Sequence, residues 1–301
     1  MDHKLKQIEQ NLRLLNNVSQ MKTYFLYPGI ELSFLTLKSE RLAMSHDALE
    51  HVMEINYCRR GRLGWKMKNG NTVYLGPGDF VLHTMTSCSN SVMTLPTGFY
   101  EGLTFCIDLN ELTKNLPEPL KGTGITGRKF HEKFCRDGAL SSFAGNLKTS
   151  CIFTEFYEKP KALQLSYWKL KTLELLLYLA SIESSSAKCL TEYQSKQIEV
   201  IRKVHDQLAA DLSKKYTIET LSKQYLMSST TLKSLFKAVY GTSIAAHMKE
   251  HRMERAAALL LETSDSIAAV ARAVGYTSQS KFTAVFKEYY QSLPTEYRKQ
   301  H

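Results

Sequence analysis

The 301-residue chain has no C-x-x-C pair and no Cys/His cluster with metal-ligand spacing. Its six cysteines (Cys58, Cys88, Cys106, Cys135, Cys151, Cys189) lie far apart and none follows Cys189. That usage reads as free thiols in a reducing compartment, not as a disulfide framework. The N-terminus has no uninterrupted apolar segment, so no secretory signal is read. The most apolar stretch, 163–180, is interrupted by Lys169, Lys171 and Glu174 and is not expected to span a bilayer. No Ser/His/Asp set, nucleophile elbow or phosphate loop is visible, and Gly76-Pro77-Gly78-Asp79 is a turn. The expectation is therefore a cytoplasmic protein that is not an enzyme, needs no cofactor and has no membrane partner.

What the chain does have is positive charge. Lys and Arg total 39 against 29 Asp and Glu, for a formal net charge of +10 and a pI near 9.2. From Tyr193 onward 16 Lys or Arg face 10 Asp or Glu, about +6, which leaves +4 for the longer first part. A basic tail favours a polyanionic partner. The length suffices for two domains, and a hydrophobic fraction of 43% is ordinary for a globular chain.

The tail repeats itself. Ile218 and Leu221 correspond to Ile267 and Val270, 49 positions on by subtraction, whereas Leu232 and Phe236 correspond to Phe282 and Phe286, 50 on. The one-residue slip falls between the two helices of each unit, where a turn absorbs it. In the first unit a short apolar-periodic helix (Ile218, Leu221, Tyr225, Leu226) meets a turn, and Ser228 or Ser229 offers an N-cap hydroxyl. The second helix then buries Leu232, Leu235 and Phe236 and turns Thr230, Thr231, Lys233, Ser234 and Lys237 outward. In the second unit Gly275 makes the turn and Ser278 caps. Phe282, Val285 and Phe286 face inward there, with Gln279, Ser280, Lys281, Thr283 and Lys287 outside. Two short helices, a tight turn and a basic second helix describe a helix-turn-helix, here in duplicate.

These residues carry a family resemblance. The tail resembles the DNA-binding domain of AraC/XylS-type transcription regulators over about a hundred residues. The pattern is Arg252-Met253-x-x-Ala256-x-x-x-Leu260-Leu261, then Ile267, Ala271, Gly275-Tyr276, Ser280-x-Phe282-x-x-x-Phe286-Lys287 and Pro294-x-x-Tyr297-Arg298. Gln291 and Leu293 depart from it, where the family has Gly and Ser or Thr. The resemblance implies two helix-turn-helix units joined by one long helix, double-stranded DNA as partner, and RNA polymerase as a second partner for an activator, the family's commoner mode. By the helical wheel and the matched motif, Thr230, Lys233 and Ser234 face the groove from the first recognition helix, and Gln279, Ser280 and Thr283 from the second. Lys233 suits guanine O6 or N7 and Gln279 suits adenine, while Lys237 and Lys287 lie nearer the phosphates. Ser228, Ser229 and Ser278 stand at helix N-termini that can also hold phosphate.

Ahead of the tail, the spacing of Leu5, Ile8, Leu12 and Leu15 predicts an amphipathic helix. Strands are expected at 30–37, 52–58, 62–67, 71–75, 79–84 and 100–107, with Asn69-Gly70 as a hairpin signal. Glu54-Ile-Asn-Tyr-Cys-Arg-Arg-Gly61 followed by Tyr74-Leu-Gly-Pro-Gly-Asp79 resembles the small cupin-like sensing barrel that often precedes an AraC-type tail. Such a barrel can hold a small-molecule effector, and Tyr57, Trp65, Met67, Tyr74, His83, Met85 and Phe105 are the candidates to line it, or simply to fill its core. His46, His51, Glu54 and His83 lack the ligand spacing of metal cupins, so no metal is expected. The segment from Leu163 to Ala180 reads as a helix apolar nearly all round, suited to cover the barrel and to bury a face in a homodimer. Glu183 to Lys188 reads as a linker, and Ile198, Ile201, Val204 and Leu208 predict a helix that opens the tail.

The fold class expected is α+β: an N-terminal cupin-like β-barrel with a helical dimerisation element at 1–182, a linker at 183–192, and an all-α double helix-turn-helix at 193–301. Two other readings stay open, a cupin-type enzyme carrying a DNA-binding tail and a regulator without a small-molecule effector.

Overall fold

The computed structural model describes residues 20–44, 47–66, 71–89, 91–136, 140–158, 160–182 and 192–300. The expected N-terminal helix, the Asn69-Gly70 turn, the linker segment Glu183 to Lys188, and residues Met67 and His46 lie outside them. The chain divides between Ser195 and Lys196 into two compact units.

The first unit is built on two antiparallel sheets. Strands β1 (Gln20–Tyr27), β2 (Ile30–Lys38), β3 (Arg41–Met44), β4 (Val52–Gly61), β5 (Leu63–Lys66), β6 (Asn71–Leu75), β7 (Phe80–Thr84), β8 (Ser91–Thr94), β9 (Phe99–Asp108), β10 (Ser141–Phe143) and β11 (Glu192–Gln194) form them. The larger sheet runs β1-β2-β9-β4-β7-β10 and the smaller β11-β6-β5-β8-β3. Among the described residues no strand pairing joins the sheets, so the expected barrel is found as two facing, open sheets. The six strands expected from alternation are present. The other five were missed because most are too short, or too mixed in polarity, for a period of two to show.

Alternation along the central strands decides what each face carries. On β4, Met53, Ile55 and Tyr57 point to a layer of helices, whereas Val52, Glu54, Asn56 and Cys58 point to the space between the sheets. The helix side is the larger core, with Leu32, Leu82, Leu103 and Phe105 contributed by neighbouring strands. It is covered by α2 (Leu109–Lys114), α3 (Gly127–Phe134), α4 (Leu147–Thr154) and α5 (Gln164–Ser181); the short α1 (Met85–Cys88) follows β7. Turn chemistry fixes the frame: both Asp79 oxygens accept backbone N–H groups, from Gly76 at 2.8 Å and Gly145 at 3.1 Å. Burial still pushes the Asp79 carboxyl above its ordinary range.

The helix α5 seats one face on the large sheet. The Trp168 indole N–H donates to the Phe156 carbonyl at 2.8 Å, and its ring packs on Tyr24 and Phe34. Leu175, Leu176 and Leu179 are buried beside it. On another face Leu170 and Leu177 stay 63% and 44% exposed, and Leu163, in the tight turn just before α5, is 57% exposed seven residues ahead of Leu170, so the three make one apolar stripe. No helix among the described residues is long and apolar enough to cross a membrane.

The second unit is all helical: α6 (Ser195–Ala210), α7 (Ile218–Gln224), α8 (Ser229–Tyr240), α9 (Ile244–Glu262), α10 (Ile267–Ala273), α11 (Gln279–Tyr290) and α12 (Pro294–Gln300). Ile198, Ile201, Val204 and Leu208 are all buried, as their spacing requires of α6.

Candidate nucleic-acid interface

In the first helical pair, Thr217 caps α7 and Ser228 caps α8, where its hydroxyl accepts the Thr231 N–H at 3.1 Å. Leu232, Leu235, Phe236, Val239 and Tyr240 bury the inner face of α8. Thr230, Lys233, Ser234 and Lys237 are exposed on the other. Ser229 is half-buried, its hydroxyl 3.1 Å from that of Ser222 on α7, so it ties the two helices together. Leu226 is not part of the buried face expected for it. It occupies the turn with φ 51° and is 95% exposed, because α7 ends at Gln224 and the chain reverses there.

The second pair repeats this plan. Ser266 caps α10, and Ser278 caps α11 by accepting the Lys281 N–H at 3.3 Å. Phe282 and Phe286 are fully buried and Val285 partly so. Gln279, Ser280, Lys281 and Lys287 are exposed, with Thr283 half-buried. Gly275 turns the chain at φ 85°, where a side chain would strike the Leu212 carbonyl oxygen at 2.5 Å. Lys237, Lys281 and Lys287 make no ion pair among the described residues, which leaves their charge available to a polyanion.

Other motif residues hold the scaffold. Arg252 on α9 donates to the carbonyls of Leu212 at 3.0 Å and Lys214 at 3.3 Å. Arg298 donates to Leu260 at 3.0 Å and Asp265 at 2.7 Å. Tyr297 packs edge-on against Phe286, with ring centroids 5.4 Å apart. Gln291, standing where a glycine was expected, adopts the left-handed cap with φ 55°, and its side-chain amide donates to the Glu288 carbonyl at 2.8 Å. The left-handed cap is kept without glycine.

The candidate effector residues do not converge. Tyr57 stacks on Phe153 at 4.2 Å and Phe105 packs edge-on against Phe156, both on the helix side of the large sheet. Trp65, His83 and Met85 are buried toward the space between the sheets, with Trp65 and His83 rings 6.2 Å apart. Tyr74 alternates with Val73 and Leu75, so it sits on the far side of the small sheet, over Gly64. The period of two separates these residues; the sequence could not say which face was inside.

What faces the inter-sheet space instead is a buried polar row. Cross-strand register places Glu31, Cys106, Glu54 and His83 side by side, and Thr104 beside Asn56 in the next row. The Thr104 hydroxyl donates to Asn56 Oδ1 at 2.6 Å, Asn56 Nδ2 lies 3.1 Å from His83 Nε2, and Glu54 Oε2 lies 3.7 Å from the same nitrogen. Burial, then the charges of Glu54 and Glu31, push the Cys106 thiol well above its usual range. Alternation around Glu54 and Asn56 was the available signal for this row. His51 lies apart from it, 3.9 Å from Asp108.

Sequence reading also missed a histidine cluster, despite the four-residue spacing of His247 and His251. His205 of α6 joins them, with His251 Nε2 at 3.4 Å from His205 Nε2 and 3.0 Å from His247 Nε2. The sequence shows no Cys/His cluster with metal-ligand spacing, but the fold gathers three histidines, because α6 and α9 bring distant positions together. Burial first, then the neighbouring His251 and His205 rings, pulls the His247 imidazole down to about 4, so it is neutral near pH 7.

Two capped helix pairs with exposed basic second helices, joined through α9, define a helix-turn-helix DNA-binding unit. Residues 221–300 match the family model described as a helix-turn-helix domain. The chain is 32% identical to the HTH-type transcriptional regulator AlkR of Acinetobacter baylyi over 87 residues, 29% of this chain and 28% of AlkR. It is 25% identical to the HTH-type transcriptional activator RhaR of Mannheimia succiniciproducens over 126 residues, 42% of this chain and 44% of RhaR. The chain thus spans less than half the length of these two relatives. With the thermoregulatory protein LcrF of Yersinia pestis it shares 24% identity over 278 residues, 87% of this chain and 95% of LcrF. Its helical unit thus carries an AraC-type helix-turn-helix domain, similar to those of these regulators.

Proposed function

We propose that the protein is a cytoplasmic, sequence-specific transcription regulator that reads operator DNA with α8 and α11. The observation that carries this reading is the duplicated Ser-capped helix with an apolar inner face and an exposed face of Lys, Thr, Ser and Gln. Lys233, Thr230 and Ser234 from α8 and Gln279, Ser280 and Thr283 from α11 serve base edges. Lys237, Lys287 and the amides at the Ser228 and Ser278 caps serve phosphate, and Ser229 braces the first cap. Affinity comes largely from release of counterions and specificity from the groove contacts. The similarity to RhaR, a transcriptional activator, favours activation, and with it RNA polymerase as a partner.

The first unit is the sensing and dimerisation half of the same reading, in place of the closed cupin-like barrel. The polar row around Glu54, Asn56, His83 and Thr104 gives a small effector groups to recognise between the sheets. The stripe of Leu170 and Leu177 on α5, with Leu163 just before it, is the surface for a second copy, since such a line of leucines gains by leaving water. Mapping the genomic fragments bound by the full chain tests the function. Enrichment of a few discrete sites sharing one sequence is expected, and uniform retention of all fragments would overturn it.

A further inference from the structure

Three imidazoles meet inside the DNA-binding unit, and none of the groove contacts uses them. The ligand atoms of His205, His247 and His251 all lie within 4.8 Å of one another, with two Nε2 separations of 3.0 and 3.4 Å. A tetrahedral zinc ion with Zn–N bonds of about 2.05 Å needs its nitrogen ligands about 3.3 Å apart. Two of the three separations therefore lie close to that of a metal site, and the third nitrogen is within 4.8 Å. Hydrogen bonding alone serves the triangle poorly. A neutral imidazole nitrogen is either a donor or an acceptor, so His251 Nε2 cannot donate to one neighbour and accept from the other.

The surroundings are those of a ligand set. His205 Nδ1 lies 3.3 Å from Asp206 Oδ1 and His251 Nδ1 lies 3.9 Å from Glu254 Oε2. A carboxylate on the far ring nitrogen orients an imidazole and raises its basicity toward a metal. Tyr240 stacks on His205 at 4.5 Å, and Phe236 and Tyr240 flank His247, which fixes the rings from the recognition-helix side. His247 is buried, whereas the side chains of His205 and His251 are 18% and 33% exposed, which gives the ion an entry path and a water for its fourth position.

We propose that His205, His247 and His251 form a binding site for one divalent transition-metal ion of the zinc type, clamping α6 to α9 beneath the first recognition helix. Three imidazoles suit zinc, and cobalt serves as its spectroscopic probe. The site lies beyond the DNA-reading function and holds whether or not that reading stands.

The test uses the full chain, stripped of metal by a chelator and titrated with zinc alone and with cobalt alone. One equivalent of zinc should bind, cobalt should give the strong visible absorption of a four-coordinate ion, and the Nε2 resonances of three histidines should shift. His205→Gln and His251→Gln should each lower zinc affinity at least ~10-fold, the scale of loss seen even for outer partners of ligands, while His131→Gln on α3 leaves it unchanged. Failure of the unaltered chain to bind zinc saturably at micromolar concentrations would overturn the proposal without recourse to any variant. So would stoichiometric binding that persists in both ligand variants, or that shifts only other histidines.

Discussion

Replacing Leu226 with glycine should stabilise the helical unit, although it removes an apolar side chain. The turns after α7 and α10 are built alike. Met227 N–H donates to Ser222 O at 3.0 Å and Leu226 N–H to Lys223 O at 3.4 Å. Tyr276 N–H donates to Ala271 O at 2.9 Å and Gly275 N–H to Arg272 O at 3.0 Å. Each is the reversal that closes a helix through a left-handed residue. Leu226 holds that conformation at φ 51° with its side chain 95% exposed, so no packing offsets the strain. A non-glycine residue there costs roughly 1–2 kcal/mol, and the extra freedom of glycine in the unfolded chain returns about 0.5–1 kcal/mol. The net gain expected for Leu226→Gly is about 0.5–1 kcal/mol. Gly275→Ala runs the other way, because its Cβ would stand 2.5 Å from the Leu212 carbonyl oxygen at φ 85°. Backbone must move to relieve that contact, at a cost of about 2 kcal/mol or more. Urea denaturation followed by helical circular dichroism measures both. A destabilised Leu226→Gly, or a Gly275→Ala as stable as the parent, would refute the argument from the paired turns.

Leu170→Lys places a charge in the middle of the α5 stripe and should turn a dimer into a monomer at tens of micromolar, read by light scattering; a parent chain that is itself monomeric with and without DNA would count against the dimer. Glu101 is held below the usual carboxylate range: burial pushes it up, but hydrogen bonds from Arg60 and Arg59 outweigh that. Its contribution to stability is therefore complete above the ordinary carboxylate range and is lost as pH falls through the lowered folded value, so Glu101→Gln should flatten the acid limb of the melting temperature against pH. Asn56→Leu removes the acceptor of the Thr104 hydroxyl and a neighbour of His83 in a buried row, and should cost about 1–3 kcal/mol in thermal melts; a neutral result would show the row to be slack.

The helical unit was legible because its information is local and doubled. Ser228 and Ser278, the inward phenylalanines and the basic outer faces each repeat, and every one has the expected burial or cap. Leu226 misled because its spacing suits a helix face, while the end of α7 is set by the reversal. The first unit was legible along its strands and in the apolar helix that became α5. Tyr57 and Phe105 share chemical type with Trp65 and His83, yet alternation sends Tyr57 and Phe105 to the helix side of the large sheet and His83 to its other side, where Trp65 of the small sheet meets it. Which face meets helices and which meets a second sheet depends on elements far off in sequence. The histidine cluster was hidden for the same reason, since His205 lies a whole helical pair before its partners.

The most direct measurement is selection by the full chain from a randomised duplex library, followed by affinities for a base-substituted panel of the selected site across a salt series. The account predicts one enriched sequence. Lys233→Ala and Gln279→Ala should each lose about 1–3 kcal/mol of discrimination at a single position. Lys237→Ala and Lys287→Ala should weaken all sequences alike and make the salt slope shallower by about one each. Equal loss for every base at every position in Lys233→Ala and Gln279→Ala, or no enriched sequence for the parent chain, would contradict the assignment of α8 and α11 as reading helices.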